Sequence, residues 1–143
     1  MNAAKLHPGL ADLVVTHYIG GRDQAGRFEG HGSAQFIGGH VFTGHFKDGM
    51  MEGDGVYRWS DGTLFTGEFR RNSISGLGTY EWPDGTVYVG SVLGGLRHGQ
   101  GILKGKDGFP LYDGQWYMGR RHGYGILSYN SEQVHSGRMA SVI

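Results

Sequence analysis

The strongest constraint on this chain is a repeat of about 23 residues in which the largest and smallest side chains alternate. Units that open on an aromatic residue with glycine two places later begin at Tyr18, Phe42, Phe65, Tyr88 and Tyr112, at intervals of 24, 23, 23 and 24 residues. A worn sixth start, His135-Ser136-Gly137, follows 23 residues on. Each unit has a bulky residue four places after its start: Phe46, Phe69, Val92 and Trp116 in the second to fifth. Paired glycines come next, as Gly53 with Gly55, Gly76 with Gly78, Gly99 with Gly101 and Gly123 with Gly125. A bulky pair then closes the unit: Tyr57 with Trp59, Tyr80 with Trp82, Leu127 with Tyr129; the fourth unit departs with Leu103 and Gly105. The first unit carries one extra residue early, and the fourth carries one near Pro110.

Spacings of two residues within each half-unit are the period of a β-strand, so each unit holds two strands. Phe42, Gly44 and Phe46 share one face, and so do Gly55, Tyr57 and Trp59. Asp61-Gly62, Asp84-Gly85 and Asp107-Gly108 suit tight hairpin connections, and a second turn must lie within residues 47–54, where Gly49 and Gly53 supply backbone freedom. A glycine beside each ring leaves room for the ring to lie across the neighbouring strand. It costs roughly 0.5–1 kcal/mol of strand stability, which aromatic contacts of about 0.5–1.5 kcal/mol each must offset. The fold class expected is all-β: one sheet of ten strands, on the order of 48 Å long. One face would be aromatic, and the other would carry Thr66, Glu68, Ser91 and Gln115.

This pattern resembles the MORN (membrane occupation and recognition nexus) repeat, over about residues 18–130. The resemblance implies a single-sheet solenoid of antiparallel β-hairpins, one per repeat. The expected layout is a tail or helical cap over residues 1–17, where Leu6, Leu10, Leu13 and Val14 have helical spacing, then five repeats over 18–134. Residues 135–143 read as a truncated sixth repeat or C-terminal tail, so the chain reads as an excerpt, a splice form or one member of a longer stack.

Composition removes several function classes. Glycine supplies 29 of 143 residues, against about 7% in ordinary chains. With only three prolines and no strict triplet period, collagen and proline-rich linkers are excluded. Thirteen basic and thirteen acidic residues cancel, which gives no field toward nucleic acid. The charge is nevertheless split: seven Lys/Arg against ten Asp/Glu in residues 1–87, then six against three in 88–143. There is no cysteine, hence no disulfide or thiolate chemistry. No apolar run approaches the ~18 residues that span a bilayer, and the N-terminus lacks a signal-peptide core. The expectation is a soluble intracellular protein.

The chemistry-bearing residues follow the repeat. Two of the eight histidines, His98 and His122, occupy the position held by Glu52 and Ser75 in other units, and they lack metal-ligand spacing. The glycine-rich stretches match neither phosphate-loop pattern. No nucleophile motif is present. We therefore expect no catalysis, cofactor or metal. A single sheet with one apolar face needs a cover, so Phe42, Tyr57, Trp59, Phe65, Tyr80, Trp82, Tyr88, Tyr112 and Trp116 are the candidate contacts for a helical or extended segment of a protein partner. Proteins with similar repeats work in cilia, flagella, junctions and the cytoskeleton, which implies a cytoplasmic, cytoskeletal or axonemal setting. Edge strands offer end-to-end self-association. The rival expectation is a peripheral membrane adaptor that meets acidic lipid through Arg70, Arg71, Arg97, Arg120 and Arg121. A third is a regulatory module of a larger enzyme.

Overall fold

The structure is a computed structural model that describes residues 10, 13–128 and 134–139. Among these residues eleven strands form one antiparallel sheet in strict sequence order. They are β1 (Val15–Arg22), β2 (Phe28–Phe36), β3 (Val41–Lys47), β4 (Met50–Arg58), β5 (Leu64–Arg70) and β6 (Ser73–Glu81). The sheet continues with β7 (Val87–Leu93), β8 (Leu96–Lys104), β9 (Pro110–Tyr117), β10 (Arg120–Ser128) and β11 (Val134–Met139). The expected solenoid of hairpins is what forms. Most of the expected N-terminal cap lies outside the described residues, while Val15 to His17 belong to β1.

One glycine from every strand lines up opposite the next, so that Gly20, Gly32, Gly44, Gly55, Gly67, Gly78, Gly90, Gly101, Gly114, Gly125 and Gly137 form an unbroken row across the sheet. The opening ring of each repeat lies flat over two members of this row. A Cβ on Gly44 would stand 2.6 Å from Gly55 Cα and 2.8 Å from the tip of the Phe42 ring. Gly78 and Gly125 are closed in the same way by Phe65 and Tyr112. Where the ring is tyrosine, its hydroxyl reaches along its own strand: Tyr18 donates to Gly21 O (2.7 Å), Tyr88 to Ser91 O (2.6 Å) and Tyr112 to Gln115 O (2.8 Å).

The two glycines of each G-x-G pair do different work. The second belongs to the row. The first, at Gly30, Gly53, Gly76, Gly99 and Gly123, has φ between 67° and 123°, and the pairing register breaks beside it in the hairpins that include β4, β6, β8 and β10. It sits at a β-bulge, which bends the strand and increases its twist.

The turns differ from expectation in kind. The tight connections are Asp48-Gly49, Arg71-Asn72, Gly94-Gly95 and Met118-Gly119, each with positive φ at both central residues, as a type I′ turn requires. The Asp-Gly pairs near the ends of the repeats form wider loops. There only the glycine has positive φ, and the aspartate carboxylate accepts a backbone N–H two residues on: Asp61 from Thr63 (2.8 Å), Asp84 from Thr86 (3.0 Å) and Asp107 from Phe109 (2.9 Å). The repeats also stack turn on strand. Gly49, Asn72, Gly95 and Gly119 donate their N–H to Phe28, Met51, Ile74 and Arg97 carbonyls of the preceding unit, at 2.7–3.0 Å. The extra residue of the first unit is absorbed in the 23–27 loop, and that of the fourth at Leu111, where the β8–β9 register shifts.

Two substitutions test this account by chemical denaturation. Gly78→Ala forces a Cβ into the Phe65 ring and is expected to cost about 1–3 kcal/mol. Met118→Asn relieves a left-handed conformation (φ 48°) at a 44% exposed side chain and is expected to add about 0.5–1 kcal/mol.

Candidate protein-interaction surface

The ring face is filled by its own side chains. Rings of successive repeats interlock: Tyr18 on Phe46 (5.4 Å), Phe42 on Phe69 (4.8 Å) and Tyr88 on Trp116 (5.5 Å), centroid to centroid. A second column runs Phe36, Tyr57, Trp59, Tyr80, Trp82, with centroids 4.7–6.0 Å apart. Each contact adds about 0.5–1.5 kcal/mol beyond burial. Phe42, Tyr57, Trp59, Phe65, Tyr80, Trp82, Tyr88, Tyr112 and Trp116 are all buried, at 0–7% exposure. This corrects the expectation that these rings form an open face for a partner: each hairpin covers the rings of its neighbours, so the rings are the core.

Arg97 is the second correction. It stands where Met51 and Ile74 stand in earlier repeats, and it is 3% exposed. Its guanidinium lies 4.6 Å from the Trp116 ring centroid and 5.9 Å from that of Trp82, and it donates to Gly119 O at 2.8 Å. Burial lowers its pKa to about 10. Arg97 extends the ring column and is withdrawn from the candidate lipid contacts. Arg70, Arg71 and Arg120 remain exposed at the tight-turn edge, with Arg121 half-buried over Tyr112.

The surface left open is the outer face. One row of it runs in register through Thr43, Val56, Thr66, Thr79, Val89 and Ile102. Val56, Leu77, Val89 and Ile126 are 36–64% exposed there. Beside this row, along the bulges, two equivalent positions hold side chains that accept a backbone N–H. In the second and third repeats they are Glu52, accepting from Arg71 (3.1 Å), and Glu68, accepting from Leu77 (3.0 Å). In the fourth and fifth they are His98 Nδ1, accepting from Met118 (3.2 Å), and Gln115 Oε1, accepting from Tyr124 (2.7 Å). The latter pair lines an open groove of about 490 Å³ with Gln100, Tyr117, His122 and Tyr124. The Tyr117 ring lies between His98 and His122, at 5.3 and 5.6 Å. Sequence reasoning weighed these histidines only as metal ligands. The signal it missed was a histidine just before the bulge glycine of two successive repeats, with the exposed Tyr117 placed between them.

Four successive segments, 42–64, 65–87, 88–108 and 112–134, match the model of the MORN repeat family, and together they cover more than half of the chain. The chain belongs to the MORN repeat family. Comparison with curated proteins finds no match. MORN repeats are known in protein-interaction and membrane-associated proteins, and the family is generally non-catalytic. The β1–β2 hairpin precedes the four matched segments, yet it carries Tyr18 over the same glycine row. In structure it is one more unit of the MORN array. No helix of the described residues is long and apolar enough to cross a membrane. Among them no cluster of three or more His, Asp or Glu is placed to hold a metal ion.

The buried tyrosines of this MORN core make a stability test. Tyr80 donates to Gly95 O at 2.6 Å, whereas the equivalent Tyr57 hydroxyl is buried with no hydrogen-bond partner. Tyr80→Phe is expected to cost about 0.5–1.5 kcal/mol, and Tyr57→Phe to be neutral or stabilising, in thermal or urea unfolding. Burial raises the Tyr57 pKa to about 12 and drives those of Tyr80 and Tyr88 higher. Above pH 10 the unfolded chain releases phenolic protons that the folded chain keeps, so stability falls as pH rises. Arg97 acts with opposite sign, losing its proton earlier when folded, and offsets part of that fall. We expect net alkaline unfolding, with its midpoint moved upward in Tyr57→Phe, followed by circular dichroism.

Proposed function

We propose that this MORN chain is a non-enzymatic interaction scaffold that holds a helical or extended segment of a protein partner along its outer sheet face. One observation carries the reading. The ring face is consumed as core, while the outer face offers exposed Val56, Leu77, Val89 and Ile126 along a sheet of eleven strands. At about 4.8 Å per strand the surface is about 50 Å long, enough for several turns of helix. The setting proposed is a cytoplasmic, cytoskeletal or ciliary assembly, and it is supported only by the resemblance to other MORN-repeat proteins. Pairing of a second copy with an edge strand is a further mode of assembly compatible with an open sheet.

A second reading, contact with acidic lipid, is favoured by the tight-turn edge. There Lys47, Arg70, Arg71 and Arg120 share a rim with Leu93 and Met118, which are 47% and 44% exposed. Cations near an acidic leaflet contribute about 1 kcal/mol each.

Crosslinking of wild type, Val56→Lys/Val89→Lys and Arg70→Glu/Arg71→Glu in lysate, beside sedimentation with phosphatidylserine vesicles, separates the two. The scaffold reading expects protein crosslinks on outer-face residues that disappear in the valine variant and persist in the arginine variant. Salt-sensitive vesicle binding lost only in the arginine variant would favour the membrane reading. Circular dichroism establishes that both variants keep the sheet.

A further inference from the structure

The groove between β8, β9 and β10 differs from its counterpart in the earlier repeats in what it offers a ligand. At both sites two side chains use an acceptor atom to bind a backbone N–H at a bulge or tight turn. With Glu52 and Glu68, what remains after that bond is negative charge and acceptor oxygens. With His98 and Gln115, what remains is donors. A neutral imidazole that accepts at Nδ1 carries its proton on Nε2, and an amide that accepts at Oε1 keeps both N–H groups. Gln100 stands directly across from Gln115, and Arg120 directly across from Tyr117. Among the described residues, none that lines the groove is a carboxylate. The only acidic residue on these three strands, Asp113, lies one outward position along from Gln115, paired with Ile102 and Ile126. Tyr117 and Tyr124, 54% and 65% exposed, add aromatic surface.

We propose that this groove binds an extended acidic segment of a protein partner. Glu or Asp side chains accept from Gln115 and His98, and an apolar residue between them packs on Tyr117 and Tyr124. The inference rests on the interaction-scaffold reading and adds to it the site and the charge of the partner. Complementary charge, a donor lining and exposed tyrosines are the features that anchor such segments.

The repeat itself supplies the variant that tests this. His98→Glu/Gln115→Glu places at these positions the residues already present at Glu52 and Glu68, so both backbone N–H groups keep an acceptor while the outward chemistry reverses. A fluorescein-labelled peptide of alternating Glu and Leu, and its Lys–Leu counterpart, are titrated into the full chain by anisotropy. Wild type is expected to prefer the Glu–Leu peptide by about tenfold or more, less so as salt rises. The double variant, with its sheet verified by circular dichroism, is expected to reverse the preference. Equal binding of both peptides by wild type, or an unchanged preference in the variant, overturns the proposal. Sedimentation equilibrium of wild type alone tests the other occupant. A dimer dissociated by the same double substitution assigns the groove to a second copy and also overturns it. If wild type binds neither peptide but still forms crosslinks lost in Val56→Lys/Val89→Lys, the groove proposal fails and the scaffold reading stands.

Discussion

Everything in this sheet depends on a ring lying flat over glycine. The close approach of the Phe42 ring to Gly44 and Gly55 leaves no space for a Cβ on either, and the same holds at Phe65, Tyr88 and Tyr112. Because one glycine per strand falls opposite the next, the requirement passes from hairpin to hairpin and fixes the register of the sheet. A shift of one residue on any strand would bring a side chain under a ring and send the rings to the other face. Glycine is a poor strand former on entropic grounds. The row therefore survives only because the rings it admits pack over the glycines of two strands, and Tyr18, Phe42 and Tyr88 pack on a ring of the next repeat as well.

The rest of the repeat follows from that packing. Rings stacked across strands need a curved sheet, and the first glycine of each G-x-G pair supplies a bulge on every even strand from β2 to β10. The bulge leaves backbone N–H groups that the ladder does not use, and Glu68 and Gln115 accept two of them. Type I′ turns then bring Gly49, Asn72, Gly95 and Gly119 within hydrogen-bond reach of the preceding unit. Among the described residues the main contacts run between adjacent strands and adjacent units, the condition under which stability is a sum of local terms.

The fold was legible because the alternation of ring and glycine has only one sheet-like solution. Five units in register made the hairpin count plain. The turns were less legible. Asp61-Gly62 and Asp48-Gly49 are the same dipeptide, but the first works through its carboxylate and the second through two positive φ angles. Only the neighbouring strands decide which applies. Arg71-Asn72 and Met118-Gly119 carried weak signals because arginine and methionine seldom adopt that conformation. The candidate site was misread for a physical reason. An aromatic stripe on a single sheet looks as if it needs an outside cover, and the pattern within one unit does not reveal that rings four residues past each start reach back over the preceding repeat. Arg97 was misread for a similar reason: a guanidinium at a position held elsewhere by Met51 and Ile74 lies over the Trp82 and Trp116 rings and is buried with them.

Function must then be sought where the repeat leaves residues free to vary. The inner positions accept a narrow set of side chains, since each must fit over glycine or against a ring. At the bulges the backbone needs only an acceptor, and glutamate, glutamine and histidine all provide one. That tolerance lets the outer surface change along one molecule from the negative acceptors of Glu52 and Glu68 to the donors of His98 and Gln115, without altering the sheet. It agrees with the uneven charge of the two halves, acidic before residue 88 and basic after it. A partner bound along this face would meet a surface with direction, which a uniform array of repeats could not give it.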